Sequence, residues 1–502
     1  TAFANGEDFK LSADADITGQ SVSVPAGKSV VLDLNGYTLT ADNSATGKII
    51  VLGKMTLKDS STEKKGKIVA SQDYTAASYN GSLIEIAGED ASMTMESGNI
   101  SAVRETPDSN GQYGVGVTDG GDFTMTGGKI EAGWFAVAGN GNYKTQNSII
   151  NITDGELIST ADYAVYLPQS GTTTISGGKV YGAAGGVCIQ RGTLNVEGTA
   201  LITSKGTGST GNWGDGTGGL DCAAINVSGA YGIATVNIKG GTLIAEAKSL
   251  ITEGTTYTPV INVTGGTFSD PSVLKYMATN ATVDIKLLSN INIAKTELAT
   301  GYILNAANAT ANLNLNGHDI INSSETADAT PFTQIFTVQN GTLNISGNGN
   351  VKCDASATAK DDGYRMVIEA RGYGTVNIHG GSYYNTQKLN TQIDLIYARE
   401  NGKINIYGGT FESGKYGTPN NDTDGRYWVL NLKNTDKNTA SIQVSGGTFI
   451  NFNPANPNMD DNESYLVTGY EVTRDGSVYT AAHKVGDGRK EYIVGQTSQE
   501  NR

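Results

Sequence analysis

The sequence predicts an all-β solenoid, a parallel β-helix with about three short strands in each coil. A short motif of alternating apolar and polar residues followed by two glycines recurs along the chain, as in INIYGGTF at 404–411 and VNIKGGTL at 236–243. Successive copies are mostly about 21 to 34 residues apart, which suits one turn of such a coil. Because a single coil cannot bury its inner face alone, the repeat indicates that the coils stack.

The alternation within the motif predicts which side chains point inwards. When the first glycine is counted as zero, the residues two and four positions earlier are almost always apolar, as at Ile238 and Val236, and Thr or Asn stands between them, as at Asn237. Strict alternation of this kind is typical of a half-buried strand. A further inward column is expected three residues after the first glycine. It contains Ile100, Ile130, Leu157, Val180, Leu201, Leu243, Phe268, Tyr383, Phe411 and Phe449.

The glycine pair predicts a corner between two strands, because glycine reaches positive φ without a Cβ clash. Another short apolar segment precedes the motif, for example YAVYL at 163–167 and LIYAR at 395–399. Together with the strands on both sides of the corner, this segment gives three strands per repeat.

The repeat resembles that of the pectin-lyase-like right-handed parallel β-helices, in particular the Gly-rich type found in gut-bacterial surface proteins and phage appendages. The resemblance covers almost the whole chain and implies a right-handed solenoid. It implies little about function, since lyases, hydrolases, adhesins and tailspikes share that fold.

A longer similarity indicates an internal duplication. The segments FKLSADADI (9–17) and VVLDLNGYTLTADNS (30–44) recur as IKLLSNINI (285–293) and ANLNLNGHDIINSS (311–324). We therefore predict two tandem β-helical units. Residues 1–275 form the first, which opens with a capping strand, and residues 276–502 form the second, which ends in a β-hairpin-like cap at TGYEVTRDGSVYT. Caps are expected because an open coil end exposes unpaired backbone.

Composition and charge argue against several classes of partner. The chain has 502 residues and a net charge of −15, whereas nucleic-acid binding requires a basic stripe. No run of about 18 apolar residues occurs, so we expect no membrane insertion. Cys188, Cys222 and Cys353 lie far apart in the sequence and are expected to be small core residues rather than a disulfide framework. No metal site and no cofactor are expected.

The strongest candidate site lies in the second unit. The segments VIEARGYG and IYARENG align, so that Arg371 is stacked over Arg399 on adjacent coils. The same alignment places Glu369 and Tyr397 in one column. Like charges one coil apart, at about 4.8 Å, are unfavourable unless carboxylates or an anion lie nearby.

Three interpretations of the arginine pair stay open. Glu369, Glu400 and Asp394 could complete a solvated ion-pair ladder. The pair could instead bind an anion or an acidic sugar, because guanidinium groups bind carboxylate and sulfate in a bidentate manner. A catalytic arginine of the pectate-lyase type is the third interpretation, but no acidic calcium-binding set accompanies it, and we predict no catalytic residue.

Aromatic residues concentrate in the same region, and some of them are expected to be exposed. Exposed rings on a flat β face suit stacking against sugar rings, although packing at a corner or in the core is the alternative. His379, in the position just before a corner, is expected to be a solvated surface residue. The predicted ligand-binding set is Arg371, Arg399, Tyr397, Tyr407 and Glu369.

These observations predict a non-enzymatic extracellular protein of structural or adhesive function. It would lie on a bacterial cell surface or in a phage virion appendage and would present one face to glycans or to a host or cell surface. A homo-oligomer is expected in the case of a virion appendage. The alternatives are a polysaccharide lyase or glycosidase of the β-helix type and a purely architectural spacer.

Overall fold

The protein, seen in a computed structural model, is an all-β parallel β-helix, which confirms the predicted fold class. The structure describes residues 2–20, 22–42, 48–71, 81–103, 112–139, 147–209, 219–253, 256–293, 301–322, 332–353, 364–385, 393–413, 427–457 and 463–484.

Contacts between Cα atoms divide the chain into two compact units. Unit 1 consists of Thr1–Ile291, Tyr302–His318 and Asn340–Thr342, and unit 2 consists of Asn292–Gly301, Asp319–Gln339 and Leu343–Arg502. The tandem division at residues 275 and 276 stays a prediction.

In the described part of unit 1 the strands form three parallel sheets, which we call A, B and C. From Phe9 to Phe268, successive strands enter sheets A, B and C in turn, so that three strands make one coil. Sheet A consists of Phe9–Lys10, Ser29–Asp33, Lys54–Lys58, Ser92–Met95, Asp122–Met125, Ser148–Ile152, Gly171–Ile175, Gly192–Val196, Ala234–Ile238 and Val260–Val263. Sheet B consists of Ala15–Asp16, Thr38–Ala41, Lys67–Ala70, Asn99–Ala102, Lys129–Ala132, Glu156–Ser159, Lys179–Gly182, Leu201–Ser204, Thr242–Ala245, Thr267–Phe268, Thr282–Lys286 and Tyr302–Asn314. Sheet C consists of Val22–Val24, Ile49–Val51, Gly81–Ala87, Gln112–Thr118, Val137–Gly139, Tyr163–Leu167, Gly185–Ile189, Ala223–Val227 and Lys248–Thr252.

The parallel register puts equivalent residues of successive coils side by side, and the predicted inward columns form the core. Leu194, Val236 and Ile261 lie opposite one another in sheet A, and Val236 and Ile238 are fully buried. Asn237, between those two, is partly exposed on the outer face. Its Nδ2 donates to Asn195 Oδ1 at 3.0 Å, and the Asn262 Nδ2 donates to Asn237 Oδ1 at the same distance. The outer Thr/Asn column is therefore a hydrogen-bonded amide ladder in this sheet.

One inward assignment is wrong. Leu201 is partly exposed, whereas its neighbour Ile202 is fully buried and is aligned with Val180 and Leu243 in sheet B. The corner that begins at Gly198 contains one more residue than the other corners do. Because strand side chains alternate with a period of two, one additional residue exchanges the inward and outward positions.

The LDLNG and LNLNG segments, whose similarity predicts the internal duplication, make equivalent hydrogen bonds in unit 1. Asn35 and Asn316, in the LDLNG and LNLNG turns, have φ angles of 50° and 51°. Asn35 Nδ2 donates to the Leu11 carbonyl at 2.9 Å, and Asn316 Nδ2 donates to the Leu287 carbonyl at 2.8 Å. The left-handed conformation favours asparagine, which tolerates it and bonds locally.

Unit 2 contains further stacked strands. Sheet D consists of Ile291–Ile293, Ile320–Asn322, Asn350–Cys353, Ser382–Asn385, Thr410–Ser413, Gly447–Ile450, Val478–His483 and Tyr470–Asp475. The strands that belong neither to sheet D nor to the three sheets of unit 1 are Phe332–Ser346, Tyr364–Ile378, Ile393–Ala398, Lys403–Ile406, Tyr427–Leu432 and Ser441–Val444. Helices are few in the described ranges: an α-helix at Ala2–Asn5 and 3-10 helices at Pro271–Tyr276 and Asn434–Asp436.

The long strand Tyr364–Ile378 belongs to two faces, because the chain takes a positive φ of 58° at Gly372. Its first part pairs with Ile393–Ala398, which pairs with Tyr427–Leu432, and we call these three segments face E. Its last part pairs with Lys403–Ile406, which pairs with Ser441–Val444, and we call these three segments face F.

Aromatic side chains fill the interior of unit 2, and a hairpin covers its last sheet. Tyr383, Phe411 and Phe449 are fully buried and stack with ring centroids 5.1 and 5.0 Å apart, as their inward column predicts. Tyr470–Asp475 and Val478–His483 form the predicted antiparallel hairpin. The second of these strands pairs with Gly447–Ile450 and so covers the edge of that strand, while Tyr470–Asp475 is the outermost strand of sheet D.

Cys188, Cys222 and Cys353 are buried free thiols, as expected of small core residues. No helix in the described ranges is long and apolar enough to cross a membrane.

Candidate functional site

Glu369 is the centre of a polar network on face E. The residue is 1% exposed, and the register places it opposite Tyr397, which lies opposite Asn431. Its Oε2 accepts a hydrogen bond from Gln334 Nε2 at 3.1 Å, and its Oε1 accepts one from Arg399 Nε at 2.6 Å. A buried carboxylate needs such partners, since an unpaired buried charge is unfavourable by several kcal/mol.

Two arginines meet this carboxylate, as the sequence alignment predicts. Arg371 Nε lies 4.0 Å from Glu369 Oε2, whereas Arg399 Nε contacts Oε1. The Arg399 side chain, which is 25% exposed, also reaches Glu400, with Nη1 2.6 Å from Oε1. Burial lowers the pKa of Arg399, but the bonds and charges of Glu369 and Glu400 outweigh burial and raise that pKa. The pair is thus arranged as an ion-pair ladder, one of the interpretations left open above.

Glu400 fixes the turn that follows face E. It has a φ of 59°, and its Oε2 accepts a hydrogen bond from the Gly372 amide at 2.9 Å. Its own amide donates to Asp436 Oδ2 at 2.6 Å, which holds the pKa of Asp436 below its ordinary value. Glu400, the second carboxylate of the ladder, therefore also stabilises this turn.

Asp394 is a second buried carboxyl of face E, at 5% exposure. Its Oδ1 accepts a hydrogen bond from Asn431 Nδ2 at 2.9 Å. Burial raises the pKa of Asp394 to about 7, with a further contribution from the charge of Glu369, although the Asn431 bond opposes both. Burial and the Asp394 charge similarly raise the pKa of Tyr397 to about 12. Of the three carboxylates considered for the arginine ladder, Glu369 and Glu400 contact the arginines, and no described contact joins Asp394 to them.

Tyr407 lies apart from this network, just after the last residue of a face F strand. It is 50% exposed, and its ring stacks on that of His379, with centroids 4.7 Å apart and an angle of 7° between the planes. His379 is exposed, as expected of a solvated surface residue, and the stacking on Tyr407 is an additional feature. Tyr407 is predicted to share a ligand-binding set with Arg371 and Arg399, whereas its ring lies beside that of His379.

A ladder of amides lies on the outer side of face F. Asn377 Nδ2 donates to Asn344 Oδ1 at 2.8 Å, and Asn405 Nδ2 donates to Asn377 Oδ1 at 2.9 Å. Gln443 continues the column in the next coil. One Nδ2 hydrogen of each donating amide is used by the ladder, and the other stays available to a ligand.

Tyr373 is exposed by 75% at the Gly372 bend, before the first residue of face F. The strand positions therefore order three features across face F: Tyr373 at one edge, the amide ladder in the middle and the His379–Tyr407 stack at the other edge. From Thr375 to His379 the strand spans about 13 Å.

Sequence reasoning missed Gln334 and Asn431, which complete the hydrogen bonds of the two buried carboxyls. Neither belongs to a repeating column of charged residues, so only the register of the folded chain reveals them. The described residues contain no group of three or more His, Cys, Asp or Glu side chains arranged to hold a metal ion.

Comparison of the chain with protein-family models, with curated proteins and with solved structures finds no match.

Proposed function

We propose that this protein is a non-enzymatic, extracellular β-helical protein that presents face F of unit 2 to glycans, on a bacterial cell surface or in a phage virion appendage. The resemblance to Gly-rich pectin-lyase-like repeat proteins supports the setting. The observation that carries the glycan-binding proposal is the exposed Tyr407 ring, stacked on His379 at the edge of an amide ladder.

Each part of this face suits a sugar. An exposed aromatic ring offers a flat apolar surface to the C–H face of a pyranose, and it is already held in place by its stacking partner. The amides of Asn377 and Asn405 offer donors and acceptors to hydroxyl groups. Tyr373 gives a second exposed ring at the opposite edge.

Because the arginine ladder of the adjoining face E is balanced by carboxylates, we propose that face F does not select acidic sugars strongly. Glu369 and Glu400 offset the charges of Arg371 and Arg399, and Arg399 has donors engaged by both carboxylates. We therefore propose that Arg371, Arg399, Tyr397 and Glu369 shape and stiffen the adjoining face E. Binding on face F should then depend only weakly on salt, since little net charge is screened.

A glycan array probed with the full chain tests the proposal, followed by calorimetry with the best ligand. Tyr407→Ala and His379→Ala should each weaken binding by about tenfold, in keeping with about 1 to 1.5 kcal/mol for a lost ring contact. Tyr37→Ala serves as the matched control, because Tyr37 is also an exposed tyrosine, in unit 1. Absence of any retained glycan would favour an architectural spacer, and unchanged affinity in both face F variants would remove this face as the site.

A further inference from the structure

A groove crosses several coils of unit 1 where the chain passes from sheet C to sheet A. Its volume is about 720 Å³. Its lining comes from five chain segments: residues 147–149, 170–172, 191–193, 231–233 and Tyr257. Since neighbouring strands are about 4.8 Å apart, segments from five successive coils extend over about 19 Å. The groove can therefore hold an extended chain molecule lying along the stack of coils.

Arg191 is the cationic group among the residues that line this groove. In the part of the chain that the structure describes, its guanidinium makes no ion pair and no hydrogen bond, and the side chain is partly exposed. Arg399 differs in this respect, since it is paired with Glu369 and Glu400. An arginine without a carboxylate partner, in a chain of net charge −15, keeps its bidentate donors for a ligand.

The backbone makes room for the Arg191 side chain. A Cβ atom on Gly232 would lie 2.8 Å from both Cγ and Cδ of Arg191. The side chain thus rests against the Gly232 backbone, and any other residue at position 232 would displace it. The side chain therefore lies in the groove by packing against the backbone, without a described carboxylate to offset its charge.

Apolar side chains and hydroxyl groups complete the lining. Tyr257 is 47% exposed and Ile233 59% exposed, so the groove offers a ring and an aliphatic surface. Thr172 and Thr193 lie side by side in the register of sheet A. Ser148, at 3% exposure, has a hydroxyl that lacks a hydrogen-bond partner among the described residues. Aromatic rings, hydroxyls and one cation together match the ring faces, hydroxyls and acid group of a charged sugar chain.

We propose that this groove binds an acidic glycan, with Arg191 pairing with its carboxylate or sulfate group and Tyr257 stacking on a sugar ring. An extended peptide fits less well, because peptides commonly bind to β-proteins by adding a strand to an open edge. The sheet A strands that line the groove are paired on both sides, through Ser148–Ile152, Gly171–Ile175 and Gly192–Val196. The inference does not rest on face F, since the two sites share no residue.

The test uses dextran oligosaccharides of one length in three forms: neutral, carboxymethylated and sulfated. The full chain should bind one or both of the charged forms, more tightly than the neutral form, and binding should weaken as salt is added. The two charged forms show which acid group is preferred. Arg191→Ala should weaken binding of the charged forms by about tenfold, the loss expected for a charge-assisted hydrogen bond. Arg191→Lys should restore part of the affinity, because it keeps the charge and loses the bidentate fork.

Two controls make the result decisive. Arg474→Ala removes an exposed arginine of the C-terminal hairpin and should change nothing, and Tyr407→Ala should leave binding of charged dextran intact even if it abolishes binding on face F. Thermal unfolding of each variant shows that the fold is retained. The proposal is overturned if neither charged form binds, if Arg191→Ala binds them as the unaltered chain does, or if poly-glutamate binds at Arg191 as tightly as the charged glycans do.

Discussion

The Glu369 carboxylate accepts a hydrogen bond from Arg399 Nε at 2.6 Å, although the two residues are 30 positions apart in the sequence. The contact links two successive coils of face E. Since Glu369 is 1% exposed and the Arg399 side chain is 25% exposed, this ion pair is partly shielded from water. Removing one partner of such a pair is unfavourable, because the other charge is then left shielded from water without its counter-charge.

We expect Glu369→Gln to destabilise unit 2 by about 2 to 3 kcal/mol. This loss is smaller than that expected for a fully buried pair, because Arg399 stays partly exposed to water and keeps its ion pair with Glu400. The substitution leaves Arg371 and Arg399 on adjacent coils with one carboxylate fewer. Urea unfolding measures the change. Glu412→Gln is a control, as a surface glutamate of unit 2. Equal stability of Glu369→Gln and the unaltered chain would show that the network is not stabilising.

The raised pKa of Asp394 predicts an unusual pH dependence of stability. Between its ordinary value of 3.8 and the folded value of about 7, the folded protein keeps a proton that the unfolded chain loses. Raising the pH through this window therefore lowers the free energy of unfolding, by up to about 4 kcal/mol for this group alone. The lowered pKa values of Asp33 and Asp59 act in the opposite direction, but only below about pH 4.

Asp394→Asn tests this dependence, because an amide oxygen can still accept the Asn431 bond. The variant should be more stable than the unaltered chain at about pH 7.5 and similar to it at about pH 4.5, as measured by urea unfolding. Asp284→Asn is the matched control, since the exposed Asp284 also accepts a bond from an asparagine amide, at 3.0 Å. A parallel shift of the Asp394→Asn curve at every pH would contradict the assigned pKa.

The two sides of a sheet A strand should respond differently to substitution. Ile238→Asp puts a charge into a fully buried column and should lower the free energy of unfolding by several kcal/mol. Asn237→Ser removes two amide ladder bonds on the outer face and should lower it by about 1 to 2 kcal/mol. Thermal unfolding followed by circular dichroism compares the two variants, and equal losses would show that the inward and outward assignments are mistaken.

The predicted second unit should fold when expressed alone. Residues 276–502 retain the strand Thr282–Lys286, which pairs with Tyr302–Asn314, and they retain the C-terminal hairpin. A fragment of residues 294–502 lacks that opening strand and should aggregate, because a coil without its cap exposes unpaired backbone. In the full chain, Thr282–Lys286 also pairs with Thr267–Phe268. If circular dichroism shows 276–502 to be unfolded, the duplication does not mark an independent unit.

The alternation of apolar and polar residues was sufficient to predict the core but not to predict the polar network. Residues such as Ile238, Tyr383 and Phe411 are buried as predicted, because a stacked coil repeats the same burial at the same position in each turn. Leu201 was assigned wrongly because one additional corner residue leaves no mark in the alternation itself. The stacking of Arg371 and Arg399 could be predicted from alignment, since parallel register follows from the repeat.

The remaining features depend on distances between side chains of different coils. Gln334 donates to Glu369 from another coil. The spacing of residues in the sequence does not show whether the two side chains come within hydrogen-bond distance. The groove around Arg191 is formed by corners of several coils, none of which is distinctive alone. A signal was present in the glycines that follow Ser170 and Arg191, since each is the first residue of a sheet A strand.

The central claim is that the protein binds glycans without cleaving them. The most direct measurement incubates the full chain with the glycan that it retains best on the array and then analyses both the affinity and the size of the recovered glycan. We expect the glycan to be recovered intact, with an affinity that Tyr407→Ala reduces. Shortened or unsaturated products that disappear in Arg399→Ala would contradict this account and favour a lyase or glycosidase.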